Sequence, residues 1–240
     1  MKARKSERRL GRIGLGTLAL MVLVLVTGPL SASTITTVPP GLGQGDLYRL
    51  VFVTDGADKA DNTSIAYYNA FVTAQANLSA ELAALGTTWK VIGSTTSVNA
   101  RTNTGTSSGT GVPIYRLDGT VVADNYFDLW DGSIDADINV NQYGISLADS
   151  TVRVHTGTQT NGAMKSGRPL GSNLLGTATY GGFSPSALRD RDWVQWNSSW
   201  PPTQYPFYAM SDVIEAPEPA TMSMLALGGL AILKRRRRKA

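Results

Sequence analysis

Two apolar segments, one near each end of the chain, most constrain how this sequence can fold. Residues 13–26 follow six Lys and Arg residues, and residues 220–233 precede six more. Basic residues beside an apolar segment tend to stay on the cytoplasmic side of a membrane. Both ends are therefore predicted to point inward, which leaves the roughly 180 residues between them to fold outside the membrane as one domain.

The first segment is predicted to be a cleavable signal peptide, residues 1–33. As a helix, its 14 apolar residues span about 21 Å, which is shorter than a hydrocarbon core of roughly 30 Å. The small residues Ser31, Ala32 and Ser33 follow and suit a cleavage site. We therefore predict export by Sec-type machinery and a mature chain that begins near Ser33 or Thr34. An uncleaved anchor is the alternative.

The second segment follows a proline-containing motif and precedes a basic tail. The motif is Pro217, Glu218 and Pro219, and the apolar residues 220–233 include a Gly-Gly pair that weakens a helix. The tail consists of Lys234, Arg235, Arg236, Arg237, Arg238 and Lys239. The apolar segment is again short for a permanent membrane span. This arrangement predicts a sorting signal, residues 215–240, that is later removed. An ordinary C-terminal membrane tail is the alternative.

The order of these three parts resembles the PEP-CTERM sorting signal of Gram-negative bacteria. The resemblance implies that Pro217, Glu218 and Pro219 are recognised by an exosortase, a membrane transpeptidase-like enzyme. It also implies that the apolar segment, as a transmembrane helix, holds the protein transiently in the inner membrane while the basic tail retains it. The implied destination is the cell surface or the extracellular biofilm matrix. The motif does not indicate what the exported domain does.

The charge of the exported part differs from that of the whole chain. The chain carries a net charge of +4, but its two ends contribute twelve of the 22 Lys and Arg residues. Residues 34–214 hold 10 basic and 15 acidic residues, a net charge of −5. An acidic domain argues against nucleic-acid binding, which needs a basic patch. The chain has no Cys, so disulfides are excluded and stability must come from the hydrophobic core.

The exported domain, residues 47–214, is predicted to have an α+β fold behind a Pro/Gly linker at residues 34–46. Residues 47–54 are predicted to be a buried strand, and apolar spacing up to residue 85 indicates one kinked helix or two helices. Short strands separated by turns follow. We place them at residues 89–92, 112–117 and 151–156, with a mobile low-complexity loop at 102–111 and a closing strand at 207–214. Helices and strands segregated in this way are typical of α+β proteins.

This element order also resembles the C-type lectin-like fold, in its disulfide-free or endostatin-like branch. The resemblance is carried by residues 89–92, 113–119, 128–132 and 155–162, followed by a Trp-rich loop before the last strand. It implies a single domain with helices first, then short strands and long loops. The cysteines that usually staple such domains are absent, and a β-sandwich with a helical insertion is the rival architecture.

An acidic segment is the candidate metal site. Its oxygen-bearing side chains recur at nearly alternate positions, and Ca²⁺ takes six to eight oxygen ligands. They are Asp131, Asp135, Asp137, Asn139 and Asn141. The glycine of an EF-hand loop is missing at the sixth place. If the segment is extended, the same side chains instead form a solvated face opposite Ile134, Ile138 and Val140.

A group of aromatic residues is the candidate ligand-binding site. Trp193, Trp196, Trp200 and Tyr205 lie close together in the sequence, and exposed aromatic rings can stack on sugar rings. Large aromatic side chains are mostly buried, however, so the alternative is that they fill the core of a loop-rich domain.

His155 is the one histidine of the chain and the one candidate general base of that type. It alternates with Val152 and Val154, which predicts a strand position near the surface. Residues 105–109 formally match a nucleophile elbow, but that motif needs a preceding strand and a following helix, whereas a Ser/Thr/Gly loop surrounds it here. Zinc sites built from several His or Cys residues are excluded.

These observations leave three functions open. The first, which we expect, is a binding or adhesion module of the cell surface, with extracellular polysaccharide as the candidate partner. The second is a structural matrix protein with no discrete ligand. The third is a hydrolase that uses His155. We expect no enzyme activity, and no cofactor apart from Ca²⁺.

Overall fold

The computed structural model describes residues 35–147, 152–172, 178–183, 190–199 and 203–218. All of them belong to the unit Ser33–Ala240. The predicted signal peptide, the apolar segment 220–233 and the basic tail lie outside the described residues, as do Pro219 and Trp200.

The described residues form short strands and helices along the whole domain. The strands are β1 (Leu47–Val53), β2 (Asp58–Lys59), β3 (Trp89–Val91), β4 (Ile114–Arg116), β5 (Val121–Ala123), β6 (Val152–His155), β7 (Ala178–Phe183), β8 (Asn197–Ser199), β9 (Gln204–Tyr205), β10 (Tyr208–Ser211) and β11 (Ile214–Glu215). The helices are α1 (Ile65–Ala76), α2 (Ala80–Ala84), α3 (Ala100–Asn103) and α4 (Tyr126–Leu129), with a 3₁₀ turn at Arg191–Trp193. The α+β class is confirmed, whereas the finer resemblance to the C-type lectin-like fold is not.

A mixed sheet with the strand order β3-β10-β1-β4-β5 carries the core, and β11 also pairs with β1. β1 runs antiparallel to β10, with Phe52 opposite Ala209, and parallel to β4, with Leu50 opposite Tyr115. β11 pairs with the start of β1, so the last strands of the domain close against the first. Two smaller sheets pair β2 with β9 and place β7 between β6 and β8.

β1 is buried on both faces, as its nearly continuous apolar run predicts. Tyr48, Leu50 and Phe52 enter one hydrophobic cluster, whereas Val51 and Val53 enter a second cluster. Successive side chains of a strand point to opposite faces, so one strand supplies both clusters. The second cluster also contains residues of α4 and the 3₁₀ turn, which brings those elements to the same face.

The helical region consists of two helices, which confirms one of the two alternatives predicted from the phase of the apolar residues. α1 begins after Ser64 and ends at Asn77, and α2 begins after Ser79, whose side chain accepts a hydrogen bond from the Leu82 N–H group. Such N-caps satisfy backbone donors that a helix leaves unpaired. Gly86 follows α2 with a φ of 59°, the left-handed conformation that commonly ends a helix.

Two segments are more ordered than their composition indicates. Residues 35–46, within the predicted linker, lie against the domain: Ile35 and Leu42 pack on the first cluster, and the Thr36 N–H donates to the Leu117 carbonyl. In the predicted mobile loop, α3 extends to Asn103, and Thr104 and Thr106 are buried. The prediction of mobility was therefore wrong for residues 102–106, because long-range contacts order a chain that local composition marks as loop.

Candidate functional site

A small pocket lies where α3, α4 and the loop between α3 and β4 meet. Arg101 of α3, residues 106–109 of the loop, Tyr126, Phe127 and Trp130 at α4, and Asn161 line it. Its volume is about 190 Å³. Sites for drug-sized ligands measure roughly 300–1,000 Å³, so this pocket has room for one small ring or group.

Trp130 forms a wall of the pocket and is held from two sides. Its indole N–H donates to Thr106 Oγ1 over 2.8 Å, and its ring lies 5.8 Å from that of the buried Trp193. Thr106 is fixed in turn, since its backbone N–H donates to the Arg101 carbonyl over 2.8 Å. A wall fixed in this way is organised before a ligand arrives, which lowers the entropic cost of binding.

Two glycines allow the pocket walls to approach each other. A Cβ atom on Gly162 would lie 2.8 Å from the Trp130 ring and 2.9 Å from Arg101 Cβ, and one on Gly111 would lie 2.3 Å from the Tyr126 ring. Both residues also have positive φ values, 75° and 76°. Only glycine meets both requirements without strain, so these positions define the shape of the site.

The open side of the pocket combines an exposed aromatic ring with hydrogen-bond donors. Phe127 is 69% exposed, the highest value among the large hydrophobic residues that the structure describes as exposed. Ser107, Ser108 and Asn161 are also exposed. The side-chain oxygen of Asn161 accepts from the Ala163 N–H, and its NH₂ group is a hydrogen-bond donor. The open side thus offers one apolar ring face beside groups that can donate or accept hydrogen bonds.

The pocket lining is positively charged within an acidic domain. Arg101 is half-buried and takes part in none of the ion pairs among the described residues. No acidic side chain lines the pocket. Arg49 contacts Tyr126, one of the lining residues. Arg49 donates to the Tyr126 hydroxyl over 2.9 Å, and the guanidinium carbon of Arg49 lies 5.3 Å from the centre of the Tyr126 ring.

The described aromatic residues of the predicted ligand platform differ in their exposure. Trp193 is only 1% exposed and packs on Trp130 and Tyr208 in the core, so it cannot offer its face to a ligand. Tyr205 packs on His155, 4.8 Å between ring centres, and Trp196 is 37% exposed. The prediction that Trp193 binds ligand was therefore wrong, and the core alternative holds for it.

The residues of the predicted Ca²⁺ site are mostly engaged in bonds within the protein. Asp131 accepts from the Ser133 N–H, Asn139 Oδ1 accepts from Arg116 over 2.6 Å, and Asn141 Oδ1 accepts two backbone N–H groups. Ile134, Ile138 and Val140 are buried and Asp135 is exposed, but Asn139 and Asn141 are only 8% and 1% exposed, so the alternative of a solvated face fits only part of the segment.

Three carboxylates do approach one another, but only one of them belongs to the predicted Ca²⁺ site. Asp124, Asp128 and Asp135 each offer an oxygen atom, and these atoms lie within 4.8 Å of one another. Asp128 already accepts from the Asp124 N–H over 2.7 Å. Only Asp135 belongs to the predicted set, so Ca²⁺ binding stays a prediction.

His155 lies in the core, and its predicted position near the surface was wrong. It is 0% exposed between Tyr205 and Phe207. Its Nε2 atom lies 2.9 Å from the Thr203 carbonyl, which can only accept, so Nε2 carries the proton. The buried Nδ1 atom has no hydrogen-bond partner among the described residues. Burial lowers the pKa of His155 from 6.5 to about 4.

The start of the predicted sorting signal continues directly from the folded domain. Glu215 ends β11, and Ala216, which is 3% exposed, exchanges backbone hydrogen bonds with Gly45 and Asp46. Glu218 then accepts from the Gln44 amide over 2.6 Å. The folded domain therefore extends to Ala216, the residue before Pro217.

Comparison with known proteins identifies this C-terminal region. Residues 215–239 match the PEP-CTERM protein-sorting motif. The chain carries an exosortase sorting signal. The match supports a protein that is exported, anchored transiently in the membrane and processed by an exosortase, as the sequence predicts. No curated protein matches the chain. Among the described residues, no helix has the length and apolar character needed to cross a membrane.

The pocket residues were not predicted from the sequence. Residues 106–109 fall in the low-complexity segment 102–111 that the sequence predicts to be a mobile loop. Arg101 immediately precedes that segment, and Asn161 lies some sixty residues further along. One signal was present in the sequence, because Tyr126, Phe127 and Trp130 place three large aromatic residues within five positions.

Proposed function

We propose that the exported domain is a sugar-binding module of the cell surface or extracellular matrix, with its site in the pocket between α3 and α4. The observation that carries this proposal is the exposed Phe127 ring beside a fixed indole wall and a set of hydrogen-bond donors. A sugar presents apolar ring faces and hydroxyl edges, and such a ligand needs both kinds of partner.

The size and rigidity of the site support this proposal. A volume of about 190 Å³ suits one sugar ring at the end or side of a chain, while the rest of the polymer stays in solvent. The Trp130–Thr106 hydrogen bond and the contact with Trp193 keep the wall in place without a ligand. Binding then orders few side chains, which favours affinity in a small site.

We also retain the C-type lectin-like fold as a proposal. The element order supports it: an initial strand, two helices, short strands with long loops, and final strands that pair antiparallel with the first. The alternative, a structural matrix protein without a ligand, predicts that the pocket binds no specific ligand. The hydrolase hypothesis gains no support from the described residues, where no Ser or Asp side chain hydrogen-bonds to His155.

The proposal is tested with the exported protein recovered from its native cells and the polysaccharide extracted from the same surface. Phe127→Ala is expected to weaken binding about tenfold, since aromatic contacts contribute roughly 0.5–1.5 kcal/mol beyond the area they bury. Leu78→Ala is the matched control, because Leu78 is an apolar side chain, 59% exposed, outside the pocket lining. Equal binding by both variants and the unmodified protein would place the site elsewhere, and no binding by any of them would favour the matrix protein.

A further inference from the structure

We propose that the pocket takes a carboxylate-bearing sugar, a uronic acid residue, and that Arg101 is the residue that selects it. This inference rests on the proposed sugar-binding function and names the class of ligand. Its first support is that Arg101 lines the pocket, forms no ion pair among the described residues and has no acidic side chain beside it in the lining. A guanidinium can bind a carboxylate through two parallel hydrogen bonds.

The position of Arg101 is fixed by its own backbone and by its neighbours. Its N–H donates to the Gly162 carbonyl, and its carbonyl accepts from the Thr106 N–H over 2.8 Å. A Cβ atom at position 162 would lie only 2.9 Å from the Arg101 Cβ atom, so only glycine fits there. The Arg101 side chain therefore starts from a fixed Cα–Cβ position on the pocket wall.

A second cation strengthens the positive potential of the pocket. Arg49 is 5% exposed, and no carboxylate lies within ion-pair distance of it in the described part of the chain. Its donors go to the Tyr126 hydroxyl and the Ser211 carbonyl, both neutral groups. A buried charge is screened less than an exposed one, so it acts across the Tyr126 wall on whatever the pocket holds. Two cations beside the pocket, in a domain of net charge −5, favour an anionic ligand there.

The remaining polar groups of the lining suit a sugar acid. The Ser107 and Ser108 hydroxyls can donate or accept, and the Asn161 amide NH₂ can donate to a hydroxyl or carboxylate oxygen. Phe127 supplies the face for the ring. The same pocket thus offers a partner for the charge, for the hydroxyl edge and for the apolar face of one uronic acid residue.

The experiment uses polygalacturonate, its fully methyl-esterified form and dextran sulfate, each measured against the exported full protein in calcium-free buffer. The ester is the matched neutral probe because it keeps the sugar chain and removes the charge. Omitting Ca²⁺ excludes a cation bridge between polymer and protein carboxylates. We expect polygalacturonate to bind at least about tenfold more tightly than the ester, since hydrogen bonds to charged groups are the stronger ones. Dextran sulfate is expected to bind more weakly than polygalacturonate.

Arg101→Gln should abolish the preference for polygalacturonate over its ester, and Arg101→Lys should keep part of it because the charge remains. Equal binding of the acid and the ester by the unmodified protein would overturn the role of Arg101 while leaving the sugar-binding function intact. Equal binding of dextran sulfate would overturn the assignment to a carboxylate. Failure of both the acid and the ester to bind would instead count against sugar binding at the pocket.

Discussion

At the scale of single residues, His155 is a buried base, and its burial disfavours the protonated form of the ring. Burial lowers its pKa from 6.5 to about 4, so the folded protein holds this ring neutral at pH values where the unfolded chain would protonate it. The unfolded state therefore binds more protons between these two values, and stability is expected to fall as the pH drops through that range. Above about pH 6.5 both states are neutral at His155, and the contribution is complete.

This difference predicts a pH-dependent loss of stability that His155→Phe removes. The loss assigned to His155 should reach about 1.4 kcal/mol near pH 5.5 and about 3 kcal/mol by pH 4, since one pKa unit equals about 1.36 kcal/mol. Urea unfolding of the unmodified protein and of the variant across this range measures it. Carboxylates titrate in both proteins, so the difference between the two curves isolates His155. A difference that stays constant with pH would contradict the prediction.

His155 also shows that the sequence around a residue does not reveal which distant residues cover it. The alternation of Val152 and Val154 predicted an outward side chain at His155, which would hold for a sheet with one solvated face. The rings that cover His155 belong to Tyr205 and Phe207, about fifty residues later. Local periodicity carries no information on such contacts, so burial of both faces could not be foreseen.

At the scale of elements, β3 is the edge strand of the main sheet, and side chains of two helices satisfy its outer backbone groups. The Val91 N–H donates to Asn69 Oδ1, and the Val91 carbonyl accepts from Asn103, each over 2.9 Å. The Trp89 carbonyl accepts from Thr73 over 3.1 Å. An edge with paired groups cannot add a further strand, so α1 and α3 protect the sheet against self-association.

We therefore predict that Asn69→Ala destabilises the protein and promotes its association. Loss of the amide leaves the Val91 N–H group without its partner, at an expected cost of about 1–3 kcal/mol. Asn77→Ala is the control, since Asn77 lines the same groove between α1 and β3 and should change stability by less than about 0.5 kcal/mol. Urea unfolding and light scattering after size-exclusion chromatography measure both effects. An Asn69→Ala protein as stable and monomeric as the control would refute this role.

The elements that sequence patterns predicted are those with strong local signals. β1 has a nearly continuous apolar run, the two helices have apolar spacing, and Ser79 caps α2, so their positions agree with expectation within a few residues. The prediction of a mobile loop was wrong for residues 102–106, because their Thr, Asn and Gly residues indicate a loop. The order of this segment depends on the distant Gly162 and Trp130.

At the scale of the whole molecule, the sorting motif predicts a defined mature chain. Protein recovered from the native surface should have an intact mass that corresponds to residues from about 34 to about 217, with or without an added C-terminal group. Glu218→Ala should retain the tail, because it removes a motif residue. Gln44→Ala is the control, since it removes only the hydrogen bond to Glu218. A wild-type mass that still includes residues 220–240 would contradict processing at the motif.

The closure of the domain at Ala216 has a consequence for the timing of that processing. Three residues, 217–219, separate Ala216 from the apolar segment, and a chain of that length reaches at most about 11 Å. A processing enzyme would have to work in that narrow gap between folded protein and lipid. Release of residues 212–216, which include β11, from the domain would lengthen this connection by up to about 18 Å. We therefore expect folding of β11 and cutting at the motif to compete for the same few residues, so that whichever happens first limits the other.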